Sequence, residues 1–115
     1  MLHRSLLLAS ALGLGLSFAT AASAGDTPPY IGVALADPAR AGDAAADARR
    51  HPGELAAFAE VKPGDTVVDL IPGSGYFTRI FSRIVGAKGH VYAVWPNEYA
   101  SEAADDVTAN KAMAA

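Results

Sequence analysis

One stretch constrains this chain more than any other: Val67-Val68-Asp69-Leu70-Ile71-Pro72-Gly73-Ser74-Gly75-Tyr76-Phe77-Thr78. β-branched apolar residues lead into an acid, two glycines follow, and an amphipathic run begins at once. The pattern predicts a buried strand, a sharp turn and a helix, the order in which a parallel α/β sheet builds a nucleotide-type site. Gly73 and Gly75 lack Cβ, so backbone can come close to a ligand and adopt positive φ above the strand end. A helix starting near Tyr76 aims free N–H groups and its positive dipole end into the same space, which favours a carboxylate or phosphate. Asp69 is an acceptor suited to an ammonium group or a chain of waters. An acid beside an anion-binding helix end suits a zwitterionic amino-acid moiety. The glycines alone would fit a ligand-free packing turn equally well, and it is the strand-acid-turn-helix context that favours a site.

The flanking sequence places this turn inside a βαβ unit. Lys62-Pro63-Gly64-Asp65 has Pro and Gly where a type II turn requires them, and it feeds a strand expected over Thr66 to Ile71, covered on both faces. Phe77, Ile80, Phe81, Ile84 and Val85 recur at helical spacing, with Thr78, Arg79, Ser82 and Arg83 opposite, and Gly86 is placed to end that helix. Ala87-Lys88-Gly89 then turns the chain into a second strand, His90 to Trp95, stopped by Pro96. Strand, helix and strand occupy about 30 residues, the length of a right-handed parallel crossover. A second crossover helix is expected from Asn97 to Ala115.

Before the unit, Gly25 to Leu35 with Pro28-Pro29 reads as an extended surface strap. Asp37 and Pro38 begin an Ala-rich, mostly solvated helix to Arg50, interrupted around Gly42. His51-Pro52 breaks it and starts another, on which Leu55, Phe58 and Ala59 form the apolar face. Arg49-Arg50 reads as a solvated helix end, and His51 and His90 as structural or solvated histidines without metal partners.

The first 24 residues form a separate unit. A basic start (Met1 to Arg4), an apolar run (Leu6 to Phe18) and Ala22-Ser23-Ala24 make a secretory signal peptide with cleavage after Ala24, the apolar run being short of the roughly 20 residues of a bilayer span. The expected product is periplasmic or secreted, with no stable membrane span after cleavage. It has no cysteine, so no disulfide supports it. Losing Arg4 takes the formal charge from −3 to −4, and an acidic chain without a Lys/Arg cluster is a poor nucleic-acid binder. Small molecules or proteins are the expected partners.

Val67 to Tyr92 resembles the first nucleotide-binding half of class I S-adenosylmethionine-dependent methyltransferases, whose first motif reads roughly V-x-D-x-G-x-G-x-G-Y-x-T. Lys62 to Asp65 before it and Gly86 to Val94 after it resemble that family's flanks, and the whole resembles a group of exported bacterial proteins described as predicted methyltransferases. The resemblance implies an α/β class with a partial Rossmann-like methyltransferase fold: N-terminal helices, one βαβ unit with parallel strands, and a following helix. It implies S-adenosylmethionine as cofactor, bound by Asp69, Ile71, Gly73, Ser74 and Gly75, with Asp69 at the methionine amino end and Gly73, Ser74 and Gly75 around the methionine and ribose parts. Ile71 stands where the family has its first glycine, and Ile71 and Pro72 depart from the motif. Trp95 stands where the family has the acid that holds the ribose hydroxyls; Asn97 or Glu98 could substitute, or Trp95 could stack on adenine or simply pack. The division implied is 1–24 signal peptide, 25–50 extended lead-in and polar helix, and 51–115 the N-terminal half of a methyltransferase-like domain, truncated before its acceptor-binding part.

The expected function is methyl transfer to an unknown acceptor, with the chain supplying the cofactor-binding portion. The alternative is a non-catalytic exported binding module that retains the fold. A nicotinamide dehydrogenase fits less well, since G-x-G-x-x-G would end at Thr78. No nucleophile-base pair, metal cluster or Walker lysine is visible, so no catalytic residue is nominated.

Overall fold

The structure is a computed structural model that describes residues 27–114. The expected signal peptide, with its cleavage site, lies outside the described residues. Among the described residues, no helix is long and apolar enough to cross a membrane.

The elements are α1 (Pro29–Leu35), 3-10 turns at Pro38–Arg40 and Ala44–Ala46, α2 (Asp47–Arg50), α3 (Pro52–Phe58), β1 (Thr66–Leu70), α4 (Tyr76–Val85), β2 (His90–Val94), α5 (Asn97–Ala100) and α6 (Ala104–Met113). This is a mixed α/β arrangement around a two-stranded parallel sheet, with Thr66 opposite His90 and Leu70 opposite Val94. Lys62 to Asp65 forms the expected tight turn, Gly64 at φ +89° and Asp65 N–H donating to Lys62 O at 3.1 Å.

The sheet's inner face, Val67 and Asp69 beside Val91 and Ala93, is half-buried and faces α4. Ile80, Ile84 and Val85 of α4 meet Ile31 and Ala34 of α1 to form the core, with Phe77 and Phe81 packed at its margin. The outer face does not match the expectation of cover on both sides. Val68 and Leu70 on β1, with Tyr92 and Val94 on β2, are exposed, Leu70 at 64%. Period-2 exposure along both strands is the signature of a sheet packed on one side.

Two N-terminal expectations are corrected. The lead-in expected to be extended is helical from Pro29, because proline suits a first helical position and Ile31 and Ala34, three apart, fall on one face and bury completely. On α3 the apolar face expected at Leu55, Phe58 and Ala59 points outward, Phe58 at 87% exposure. Pro52, Gly53 and Ala56 are the buried side instead. The reason is close packing against α1: a Cβ on Gly53 would sit 3.3 Å from Leu35 Cδ1, so the small residues are the ones that fit.

The segment 37–50 is interrupted as expected, Asp37 capping its first turn through Ala39 N–H at 2.9 Å. The second crossover helix is instead two pieces, α5 and α6, joined by a turn at 101–103.

Candidate functional site

β1 hands the chain to a turn whose backbone is left-handed three times. Ile71 N–H extends the ladder by donating to Val94 O at 2.8 Å, and then Ile71, Gly73 and Gly75 adopt φ of +56°, +57° and +87°. Glycine takes this region without penalty, whereas a β-branched side chain there is a steric outlier. Ile71 is therefore a position where the turn's backbone favours glycine. Its side chain is 45% exposed.

Gly75 caps α4, whose first turn carries no acidic side chain and no side-chain cap, so the amides at the helix start are not claimed by the chain's own carboxylates. Asp69 reaches α4 from the strand end, where Thr78 Oγ1 donates to its Oδ2 at 2.7 Å. That bond commits one carboxylate oxygen and fixes the side chain's direction. Ser74 is exposed, and its carbonyl accepts from Arg79 Nη1 at 3.0 Å. Asp69, Gly73, Ser74 and Gly75 thus lie around one turn, as the sequence places them.

The space next to Gly75 is taken by the chain itself. Asn110 Nδ2 of α6 donates to Gly73 O at 2.8 Å, and Arg79 Nη1 lies 3.3 Å from Met113 Sδ. A Cβ on Gly75 would collide with Met113 Cε and lie 2.9 Å from Asn110 Oδ1. The close approach that glycine permits here is made by a helix.

A second set of polar side chains clamps the start of α4 to the N-terminal segment. Arg40, only 2% exposed, donates through Nη1 to Leu35 O and through Nη2 to Asp47 Oδ1, each at 2.7 Å. Tyr76 Oη donates to the same Asp47 oxygen at 2.5 Å, and the Arg50 guanidinium sits 4.6 Å from the Tyr76 ring centre. Asp43 holds Arg79 through two bonds, at 2.6 and 2.9 Å. The Arg40 hydrogen bond holds the Asp47 carboxyl below its ordinary range, against the opposing effect of burial. Burial, and then donation to the Asp47 carboxylate, pushes the Tyr76 phenol up to about 12.

Trp95 is half-buried and borders a cleft of about 660 Å³ between β2, α4 and α6; its Nε1 is buried without a partner. Asn97 and Glu98 are exposed on α5. His51 is exposed with Glu54 Oε1 3.5 Å away, and His90 lies against the Tyr92 ring. Among the described residues, no group of three metal-ligating side chains converges.

Asn110, Met113, Arg40 and Asp47 escaped the sequence reading. α6 has no apolar stripe to say which face docks, and Arg40 is one cation in an alanine-rich stretch. The available signal was charge complementarity: Asp43 and Asp47, one turn apart, answer to the cation and phenol of Arg79 and Tyr76. No protein-family model, curated protein or solved structure matches the chain.

Proposed function

We propose that the Asp69 and Gly73–Gly75 turn is the S-adenosylmethionine-binding end of an exported, Rossmann-like methyltransferase domain, acting on an acceptor that other residues must bind. The single observation that carries the reading is the turn itself: a parallel strand ends in a fixed acid, the backbone goes left-handed at Gly73 and Gly75, and a ten-residue helix starts with unclaimed amides. A ligand with an ammonium group and a carboxylate on one carbon matches an acid facing a helix start. Asp69, through the oxygen Thr78 leaves free, would take the ammonium group. Gly73, Ser74 and Gly75 would line the methionine and ribose parts, where the missing Cβ of Gly75 permits a close approach that Met113 and Asn110 of α6 make in this structure. When bound, the cofactor supplies an electrophilic sulfonium methyl group. The chain's part is binding and orientation, since no nucleophile-base pair stands at the turn among the described residues.

A second reading, an exported binding module without catalysis, has one observation in its favour: α6 already seats Asn110 and Met113 on the turn.

Equilibrium dialysis of labelled S-adenosylmethionine against the full chain tests the proposal. Saturable binding is expected, weakened about ten- to a hundredfold by Asp69→Ala, the loss typical of a hydrogen bond to a charged group. Absence of saturable binding in the wild-type chain and in an Asn110→Ala chain alike overturns the cofactor assignment.

A further inference from the structure

The contact between α6 and the glycine turn is made by a helix with little else to hold it. Asn110 is the buried residue of α6, and its neighbours along the helix are exposed or half-exposed. Its amide orientation is fixed, because both Nδ2 hydrogens are used, one on Gly73 O and one on Asp106 O, each at 2.8 Å. Oδ1 is left buried beside Gly75 with no donor. An unpaired buried acceptor weakens the docked state relative to one in which water or a ligand reaches it.

Two further features make release inexpensive. The cleft of about 660 Å³ lies between α6 and β2, so α6 is not closely packed against the strand beside it, and Trp95 Nε1 at its border is a buried donor without a partner, in addition to the unpaired acceptor of Asn110. The turn at 101–103, with Ala103 out of helical conformation at φ −103° and ψ 29°, separates α6 from α5 and can absorb a rotation.

We infer that α6 is an autoinhibitory latch: docked, it fills the ligand space over Gly73–Gly75 with Asn110 and Met113, and a ligand of the turn enters only by displacing them. The inference rests on the reading of the turn as a ligand site, and it adds that occupancy of the site and docking of α6 exclude each other. Coupling of this kind lowers apparent affinity by the inverse of the fraction of molecules in which α6 is undocked. Anything that undocks α6 raises affinity by the same factor.

Amide hydrogen exchange on the full chain, with and without S-adenosylmethionine, reads the latch directly. Wild type is compared with Asn110→Ala and with Met113→Ala, the milder truncation, each checked for unchanged far-ultraviolet circular dichroism. Without ligand, exchange across Val107 to Lys111 should speed up roughly fivefold in the variants, as expected for loss of one hydrogen bond or one packed side chain. Ligand affinity should rise by a similar factor, and ligand should accelerate exchange in wild-type α6 while quieting the amides of the turn. Unchanged exchange in both variants overturns the latch, as does protection of α6 by the ligand or equal affinity in all three chains. If the variants loosen α6 but no chain binds S-adenosylmethionine, the cofactor assignment fails and the latch falls with it, whereas measurable binding of equal strength in all three chains overturns the latch alone.

Discussion

Ile71 shows how much one residue can say about a turn. Its φ of +56° places a β-branched side chain in a region that costs an L-residue roughly 1–2 kcal/mol, while its N–H keeps the ladder bond to Val94 O. The surrounding turn therefore fixes this conformation against the residue's own preference. Ile71→Gly removes the strain, adds unfolded-state entropy of about 0.5–1 kcal/mol and gives up a side chain already 45% exposed. These terms nearly cancel, so urea unfolding should show a change within about 0.5 kcal/mol. Val68→Gly, also an exposed β-branched position but in regular strand, should lose more, about 1 kcal/mol. Equal losses at the two sites would show that the Ile71 backbone carries no strain.

At the scale of elements, the start of α4 is held from two directions, by α6 over the turn and by segment 37–50 through Asp47 and Asp43. The second clamp has a pH signature with a definite sign. Tyr76 is raised from 10 to about 12, so the fold favours its neutral phenol, and that stabilisation is complete below pH 10 and is lost as pH rises towards 12. Two pKa units correspond to about 3 kcal/mol over that window as an order of magnitude. Asp47 is lowered, so its contribution is present above the ordinary carboxylate range and is lost as pH falls below it. Tyr76→Phe should cost about 1 kcal/mol at pH 7 and flatten the alkaline limb of stability measured by urea unfolding from pH 8 to 12. A wild-type limb no steeper than the variant's would show that Asp47 does not hold the phenol proton. The βαβ unit was readable from sequence because its signals are local: Pro63-Gly64 for the turn, apolar spacing in α4, Gly86 to end it. The clamp was not, because Tyr76 and Asp47 are 29 residues apart and Asp43 and Arg79 are 36. The α3 face misled for a related reason, since helix-helix approach selected Gly53 and Ala56 over the larger Leu55 and Phe58.

For the molecule as a whole, the core lies on one side of the sheet. α4, with α1 packed against it, covers Val67 and Val91, while Val68, Leu70, Tyr92 and Val94 form an apolar surface on the other side. The sequence misled here because a short β-branched run looks the same whether one face is covered or two, and only the exposure along β1 and β2 separates the cases. An apolar patch of four neighbouring side chains on a small fold should bind a hydrophobic dye such as anilinonaphthalene sulfonate in the native state. Joint replacement Val68→Thr and Leu70→Thr keeps β propensity and removes much of that surface, so dye fluorescence should fall by at least half with stability changed by no more than about 0.5 kcal/mol per site. Ile84→Ala, on the buried face of α4, should act in the opposite sense, losing about 2–5 kcal/mol and raising dye fluorescence as the core loosens. If the double threonine variant instead unfolds as readily as Ile84→Ala, Val68 and Leu70 are covered in solution, and the outer face of the sheet belongs to the core.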